Sequence, residues 1–121
     1  MKIKLILILA LVGFFSTVSA QVCKINESGD NVEVFSAIIE GENTVVVTVG
    51  NDSRDISANV TVTVEVTYKK GNSIHTYNYT GKKIAQPNQE TIIKISIPAE
   101  DKNGYKPYSV KVTGITGNKC S

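Results

Sequence analysis

Residues that could carry out acid–base or nucleophilic chemistry are scarce in this sequence. His75 is the only histidine, so a Ser–His–acid arrangement would have to centre on it. His75 lies in the strand-like stretch IHTYNYT, and no spacing links it to Asp52, Asp55 or Glu65. Paired carboxylates for glycoside cleavage would need a cleft between them. The sequence therefore predicts a protein that is not an enzyme, with no catalytic residue and no cofactor, in which His75 is a surface residue on a strand.

Oxygen-bearing side chains cluster in the loop GNDSRDISAN, where Asn51, Asp52, Asp55 and Asn59 could supply metal ligands. Calcium takes about six to eight oxygen ligands, and the cationic Arg54 lies in the same loop. Asn, Asp and Ser are also the usual residues of turns. We expect a solvated loop that holds no metal, and we retain Asn51, Asp52 and Asp55 as candidate ligand contacts.

Aromatic residues form the third candidate group. His75, Tyr77 and Tyr79 alternate along the chain, so they share one face of a strand. A row of tyrosines can form a flat platform for sugar rings or for a protein partner. We expect this face to pack at the edge of the core, with a platform that includes Tyr105 and Tyr108 as the alternative. The sequence contains no Trp, which weakens the case for carbohydrate stacking.

Two cysteines, Cys23 and Cys120, lie near opposite ends of the chain. In an exported protein an even number of cysteines favours a disulfide. A reactive or metal-binding thiol pair would need further ligands, and the sequence has neither a CxxC motif nor a second histidine. We therefore predict that Cys23 and Cys120 form a structural disulfide.

The first twenty residues have the layout of a secretory signal peptide. Lys2 and Lys4 provide a positive start, an apolar run follows, and small residues lead up to Ala20. The apolar run is shorter than the roughly 20 residues of a membrane-spanning helix. We predict cleavage after Ala20 and secretion to the periplasm or the cell exterior, with no transmembrane segment after cleavage. An uncleaved membrane anchor is the alternative.

The remaining residues 21–121 have the length of one domain. Removal of Lys2 and Lys4 reduces the 13 Lys and Arg residues to 11, which equals the 11 Asp and Glu residues. A domain without net charge lacks the basic character that phosphate backbones demand. We therefore predict no nucleic-acid partner.

The elements that must position these residues are strands. From Val60 to Tyr68 apolar and polar residues alternate strictly, with Thr61, Thr63 and Thr67 on the polar side. This threonine side is expected to be a solvated β-face. Similar patterns recur between Gly-, Asn- and Pro-containing turns along the whole of residues 21–121. The sequence predicts an all-β fold, a single antiparallel β-sandwich of about seven strands, with a closed barrel as the alternative.

Two stretches, VTVGNDSRDISANVTVTVEV and AQPNQETIIKISIP, resemble the bacterial cell-adhesion-related Ig-like domains and their fibronectin-III-like relatives. Asn51 matches the Asn of that pattern, and Pro87 and Thr91 match its later turn and strand. Ser53 stands where a Gly is expected, and Asn88 replaces the Gly of a Pro-Gly turn, a change that Asn tolerates because it adopts left-handed angles. The resemblance implies an Ig-like interaction module outside the cytoplasm, with no catalytic residues.

These observations predict a non-catalytic exported module for interaction or adhesion, which binds a protein or a cell-surface polymer. The expected contact elements are the loop from Gly50 to Ala58 or an exposed edge strand. One alternative is a glycan-binding module that uses Tyr77 and Tyr79. Another alternative is a small secreted inhibitor.

Overall fold

The structure is a computed structural model that describes residues 31–117 in full and residues 16–18 and 22–24 as backbone. Eight strands form two sheets in the orders β1-β8-β5-β6 and β2-β3-β4-β7. The six long strands make two antiparallel three-stranded units, and the two short strands extend them at one side. The strands are β1 (Ser16–Val18), β2 (Val22–Lys24), β3 (Asn31–Glu40), β4 (Thr44–Asn51), β5 (Ala58–Lys70), β6 (Ser73–Ala85), β7 (Gln89–Ser96) and β8 (Lys106–Gly117).

The first sheet is organised around β5, whose alternating β-branched residues suit a pleated surface that is buried on one side. β5 pairs with β6 without interruption, from Ala58 opposite Ala85 to Lys70 opposite Ser73. The two-residue loop between them starts with Gly71 at a φ of 62°. Two-residue hairpin loops of type II′ have Gly with positive φ at this position. Gly71 therefore fixes the register that decides which β6 side chains face the core.

The second sheet is organised around β4, which pairs with β3 on one side and with β7 on the other. A β-bulge interrupts the β3–β4 register between Val34 and Ser36. The ring of the extra residue, Phe35, lies where a side chain on Gly50 would have to be. Gly50 thus makes room for an aromatic ring on the outer surface of this sheet.

The core between the sheets is built mainly from valine. Tyr68 is the largest fully buried side chain, and its hydroxyl donates a hydrogen bond of 2.6 Å to the carbonyl of Pro98. Burial raises the pKa of Tyr68 above its usual range. The inward positions of β4, β5, β7 and β8 supply most of the core, namely Val45, Val47, Val49, Val60, Val62, Val64, Val66, Ile93, Ile95, Val110, Val112 and Ile115.

One side of the sandwich is closed where β6 of the first sheet approaches β7 of the second. A Cβ atom on Gly81 would lie 2.7 Å from Cγ1 of Ile95 and 3.0 Å from Cγ2 of Ile93, so the approach depends on glycine. The chain crosses between these strands through Pro87 and Asn88, and Asn88 has a φ of 58°. This left-handed conformation is the one expected of Asn at that position.

The prediction of an all-β fold with two packed sheets is confirmed. The strand number differs from the predicted seven or so, because six long strands are joined by two strands of three residues. Within the described parts of the chain, no helix is long and apolar enough to cross a membrane. The side chains of Cys23 and Cys120 lie outside the described residues, so the disulfide remains a prediction.

The N-terminal strands close the opposite side of the sandwich. β1 runs parallel to β8, with Ser16 to Val18 opposite Val110 to Val112. β2 pairs antiparallel with the start of β3, in the other sheet. β1 belongs to the segment for which the sequence predicts a signal peptide. In this structure that segment therefore contributes a strand to the first sheet.

Candidate functional site

The loop from Gly50 to Ala58 is organised from the inside by Asn51. Only 3% of Asn51 is exposed, and its amide Nδ2 donates to the carbonyls of Ile56 at 2.8 Å and Ala85 at 2.9 Å. Its Oδ1 accepts the amide of Ser53 at 2.9 Å. Asn51 therefore joins the loop to the end of β6. Asn51 is a candidate ligand contact from the sequence, but in the structure it is buried. Its polar atoms form hydrogen bonds within the fold.

The two acids of this loop have different environments. Asp52 exchanges two hydrogen bonds with the first residue of β3, because its Oδ1 accepts the Asn31 amide at 2.6 Å and its own amide donates to the Asn31 carbonyl at 3.1 Å. Asp55 is exposed. Among the described residues, no group of three or more His, Cys, Asp or Glu side chains is placed to hold a metal ion. Asp52 does border a surface pocket of about 440 Å³, lined by Phe35, Gly50, Asn51, Asp52, Asn88, Gln89 and Glu90.

His75 is joined to an acid that the sequence pattern did not connect with it. Its Nδ1 lies 3.0 Å from Oδ2 of Asp101, and the same oxygen accepts the Tyr77 hydroxyl at 2.9 Å. A carboxylate only accepts hydrogen bonds, so Nδ1 carries the proton. The imidazole also stacks on the ring of Tyr105, with centroids 3.9 Å apart. His75 thus serves to hold the loop between β7 and β8 against β6.

Asp101 is the centre of this loop. Its Oδ1 accepts the amides of Asn103 at 2.8 Å and Tyr105 at 2.9 Å. Burial of the Asp101 carboxyl would by itself raise its pKa, but the hydrogen bonds from His75, the Tyr105 amide, Tyr77 and the Asn103 amide outweigh burial. The pKa of Asp101 is therefore held well below its ordinary value. The hydrogen bond to Asp101, together with burial, raises the pKa of Tyr77.

The tyrosine face of β6 turns toward the space between the sheets. Tyr77 and Tyr79 lie opposite the core residues Val66 and Val64, and both rings are partly buried against the core. The Tyr77 ring meets the Tyr68 ring edge-on, with centroids 5.3 Å apart. This packing leaves the two rings without the open, flat surface that a sugar platform requires.

The structure does not bring the candidate contact residues together. The Asn51 amide reaches Ala85 at the end of β6, six residues along the strand from Tyr79. At about 3.3 Å per residue, this places Tyr79 and the loop about 20 Å apart. The tyrosines and the Asn51–Asp55 loop therefore cannot contact one small ligand at the same time.

Charged side chains are separated between the two outer faces of the sandwich. Residues 31–117 contain nine Lys and Arg residues and nine Asp and Glu residues, so this part of the chain has no net charge. The outer face of the first sheet nevertheless carries Lys69, Lys82, Lys106 and Lys111 with one acid, Glu65. The outer face of the second sheet has the opposite excess, with Glu33, Glu40, Glu90 and Lys94.

Cross-strand pairing arranges the outer residues of β6, β5 and β8 in rows. We call this surface the lysine–threonine face. Asn78, Glu65 and Lys111 form its middle row, and Lys111 Nζ lies 3.6 Å from Glu65 Oε1. The rows on either side contain Lys82, Thr61 and Thr116; Thr80, Thr63 and Gly114; Thr76, Thr67 and Ser109; and Ile74, Lys69 and Lys106.

The lysine–threonine face is not flat, because it has an exposed aromatic ring and a pocket. A register shift in β8 places Tyr108 outside the core, and Lys69 Nζ lies 4.5 Å from the centre of its ring. The row of Lys82, Thr61 and Thr116 borders a pocket of about 570 Å³. The pocket is lined by Asn59, Val60, Thr61, Lys82, Lys83, Ile84, Thr116 and Gly117. The period-two pattern of β5 indicated the solvated threonines, but the lysines come from three strands whose pairing only the fold establishes.

No family model, curated protein or solved structure matches this chain. A proposal of function therefore rests on the positions and contacts of this chain's own residues.

Proposed function

We propose that this protein is an exported, non-catalytic Ig-like module that binds an anionic polymer at the cell exterior through the lysine–threonine face. The observation that carries the proposal is the concentration of Lys69, Lys82, Lys106 and Lys111 on one face of a domain without net charge. Export rests on the signal-peptide layout of residues 1–20 and cleavage after Ala20. The Ig-like class rests on the two packed sheets and on the resemblance of the strand and turn sequences.

The dimensions of the face favour an extended ligand. Lys69 and the row of Thr61 and Lys82 are eight residues apart along β5, which corresponds to about 27 Å. A small anion would contact one lysine at a time, whereas a chain with regularly spaced negative groups can contact several. Each such contact releases counterions and adds to the affinity.

The composition of the face favours a polymer over a protein partner. Cores of protein interfaces are enriched in aromatic residues, Met and Arg and are depleted in Lys and Ser. Here threonine, asparagine and lysine side chains prevail, and Tyr108 is the exposed aromatic residue beside them. Hydroxyl, amide and ammonium groups can hydrogen-bond the hydroxyls and carboxylates of an acidic polysaccharide.

Charge reversal on each of the two outer faces tests the proposal. Lys82→Glu combined with Lys106→Glu reverses two exposed charges of the lysine–threonine face, and Lys94→Glu reverses one exposed charge on the opposite face. We expect the wild type and Lys94→Glu to bind polygalacturonate and the double variant to bind at least about tenfold more weakly. Binding is measured by affinity electrophoresis, with neutral dextran as the reference polymer and circular dichroism as the check on folding.

Salt dependence provides the second measurement. Binding to polygalacturonate should weaken steeply as sodium chloride rises from about 50 to 200 mM, because the contacts are ion pairs with screened charges. Equal loss of binding in Lys94→Glu and in the double variant would refute the assignment to this face. Equal affinity for dextran and polygalacturonate would refute the anionic ligand.

A further inference from the structure

The first sheet has an edge whose cover belongs to the predicted signal peptide. β8 pairs with β5 along one side, and along its other side β1 covers Val110 to Val112. β1 ends at Val18, before the predicted cut after Ala20. Cleavage at that position removes β1, and the side of β8 that β1 covers then lies at the edge of the sheet.

The uncovered edge lies beside the core. Val110 and Val112 are 2% and 1% exposed, and β3 of the other sheet lies against β8 on this side of the sandwich. An extended segment placed between β8 and β3 would therefore satisfy backbone groups and also cover apolar side chains. In strand addition the main-chain hydrogen bonds provide affinity, and the side-chain contacts provide specificity.

Features at both ends of β8 limit pairing to its middle. Pro107 has no amide to donate, and register shifts occur at Tyr108 and next to Gly114. Such irregularities are the usual protection of an edge strand against uncontrolled pairing. The regular stretch between them runs from Ser109 to Val112, and β1 pairs within this stretch. Ser109–Val112 is therefore the part of the β8 edge with which another strand pairs.

We infer that the exported protein carries a strand-acceptor site at Ser109–Val112 of β8, which binds an extended polypeptide segment of another protein in parallel register. Ser16–Val18 occupies this site before cleavage and shows both the direction and the register of the occupant. The inference rests on the proposed export with cleavage after Ala20. It concerns an edge and a ligand class different from the polymer-binding face.

The test uses the protein recovered from the extracellular fraction, with its N-terminus determined by mass spectrometry. Amide hydrogen exchange is measured with and without a synthetic peptide of residues 14–20, and with the same peptide carrying Thr17→Pro as the matched control. We expect the edge-facing amides of Ser109–Val112 to exchange in the monomer and to slow at least about tenfold with the peptide. The proline peptide should have no such effect because proline holds φ near about −65°, away from the roughly −120° of a parallel strand.

Three results would overturn the inference. These amides could be protected already in the monomer, the two peptides could act alike, or protection could arise only in a dimer, in which case a second copy fills the edge. An N-terminus at Met1 would refute cleavage separately. In that case Thr17→Pro in the uncleaved chain should speed exchange of the same amides, and unchanged exchange would overturn the acceptor site as well. Amides on β6, the other edge of this sheet, serve as the internal reference.

Discussion

Asp101 Oδ2 lies 3.0 Å from Nδ1 of His75, across 26 residues of sequence. This contact joins the loop after β7 to the start of β6 and thereby links the two sheets at one end of the sandwich. The carboxylate of Asp101 also accepts two amides of its own loop. One acid, whose side chain is 7% exposed, therefore fixes both the shape of the loop and its position, so its protonation state should matter for stability.

Acid should weaken the fold partly through Asp101. Its ordinary pKa is 3.8 and its folded-state pKa is lower, so the unfolded chain binds the proton first as the pH falls. The stabilisation is complete above the unfolded pKa and is lost as the pH falls below about 4 toward the folded pKa. Asp101→Asn removes this contribution. We expect a melting temperature several degrees below the wild type at pH 7 and a smaller further decrease between pH 6 and pH 3.

The control for this prediction is Asp55→Asn, which removes an exposed acid from the opposite end of the sandwich. Its melting temperature should follow that of the wild type at each pH. If Asp101→Asn and the wild type lost the same number of degrees between pH 6 and pH 3, Asp101 would not be a source of the acid sensitivity.

Gly81 should be required for the approach of β6 to β7. A methyl group at this position would lie 2.7 Å from Ile95, whose side chain is held in the core. We expect Gly81→Ala to lower the free energy of unfolding by about 1–3 kcal/mol, as overpacking does. Gly114→Ala is the matched control, because a methyl group there would meet no atom of a more distant residue within 4 Å, and its effect should stay within about 0.5 kcal/mol. Urea unfolding measures both; equal effects would contradict the proposed steric cause.

Asn51 should act as a structural residue and not as a ligand contact. Asn51→Ala leaves the Ile56 and Ala85 carbonyls without their donor. We expect a loss of about 2 kcal/mol or more in the free energy of unfolding, since unsatisfied buried polar groups are costly. Asp55→Ala in the same loop should change it by no more than about 0.5 kcal/mol. A thermally stable Asn51→Ala protein would show that the loop does not depend on this side chain.

The predicted disulfide between Cys23 and Cys120 can be examined by mass. The exported protein should react with iodoacetamide only after reduction, and two alkyl groups should then be added. Reduction should also lower stability, because a bridge over nearly the whole domain restricts the unfolded chain by up to about 4–5 kcal/mol. Alkylation of both thiols without reductant would show that no bridge forms.

The long strands were predictable because their signal is local. Alternating valines on β5 and a positive φ for Asn88 both follow from short stretches of sequence. The pairing of His75 with Asp101 was not predictable, because the two residues come from different strands and loops. The burial of Asn51 was also missed, because Asn is a usual turn residue and its local sequence does not distinguish a solvated turn from a buried one.

The sequence by itself determined an all-β chain, the inward valines of its strands and the scarcity of catalytic side chains, because each depends on composition or on the two-residue period of a strand. The tertiary structure alone decided which strands became neighbours. Strand order placed Lys82, Lys106 and Lys111 on one face and set β1 against β8. Net charge is a sum over the whole chain, whereas an electrostatic surface depends on the positions of the charges, and long-range pairing fixes those positions.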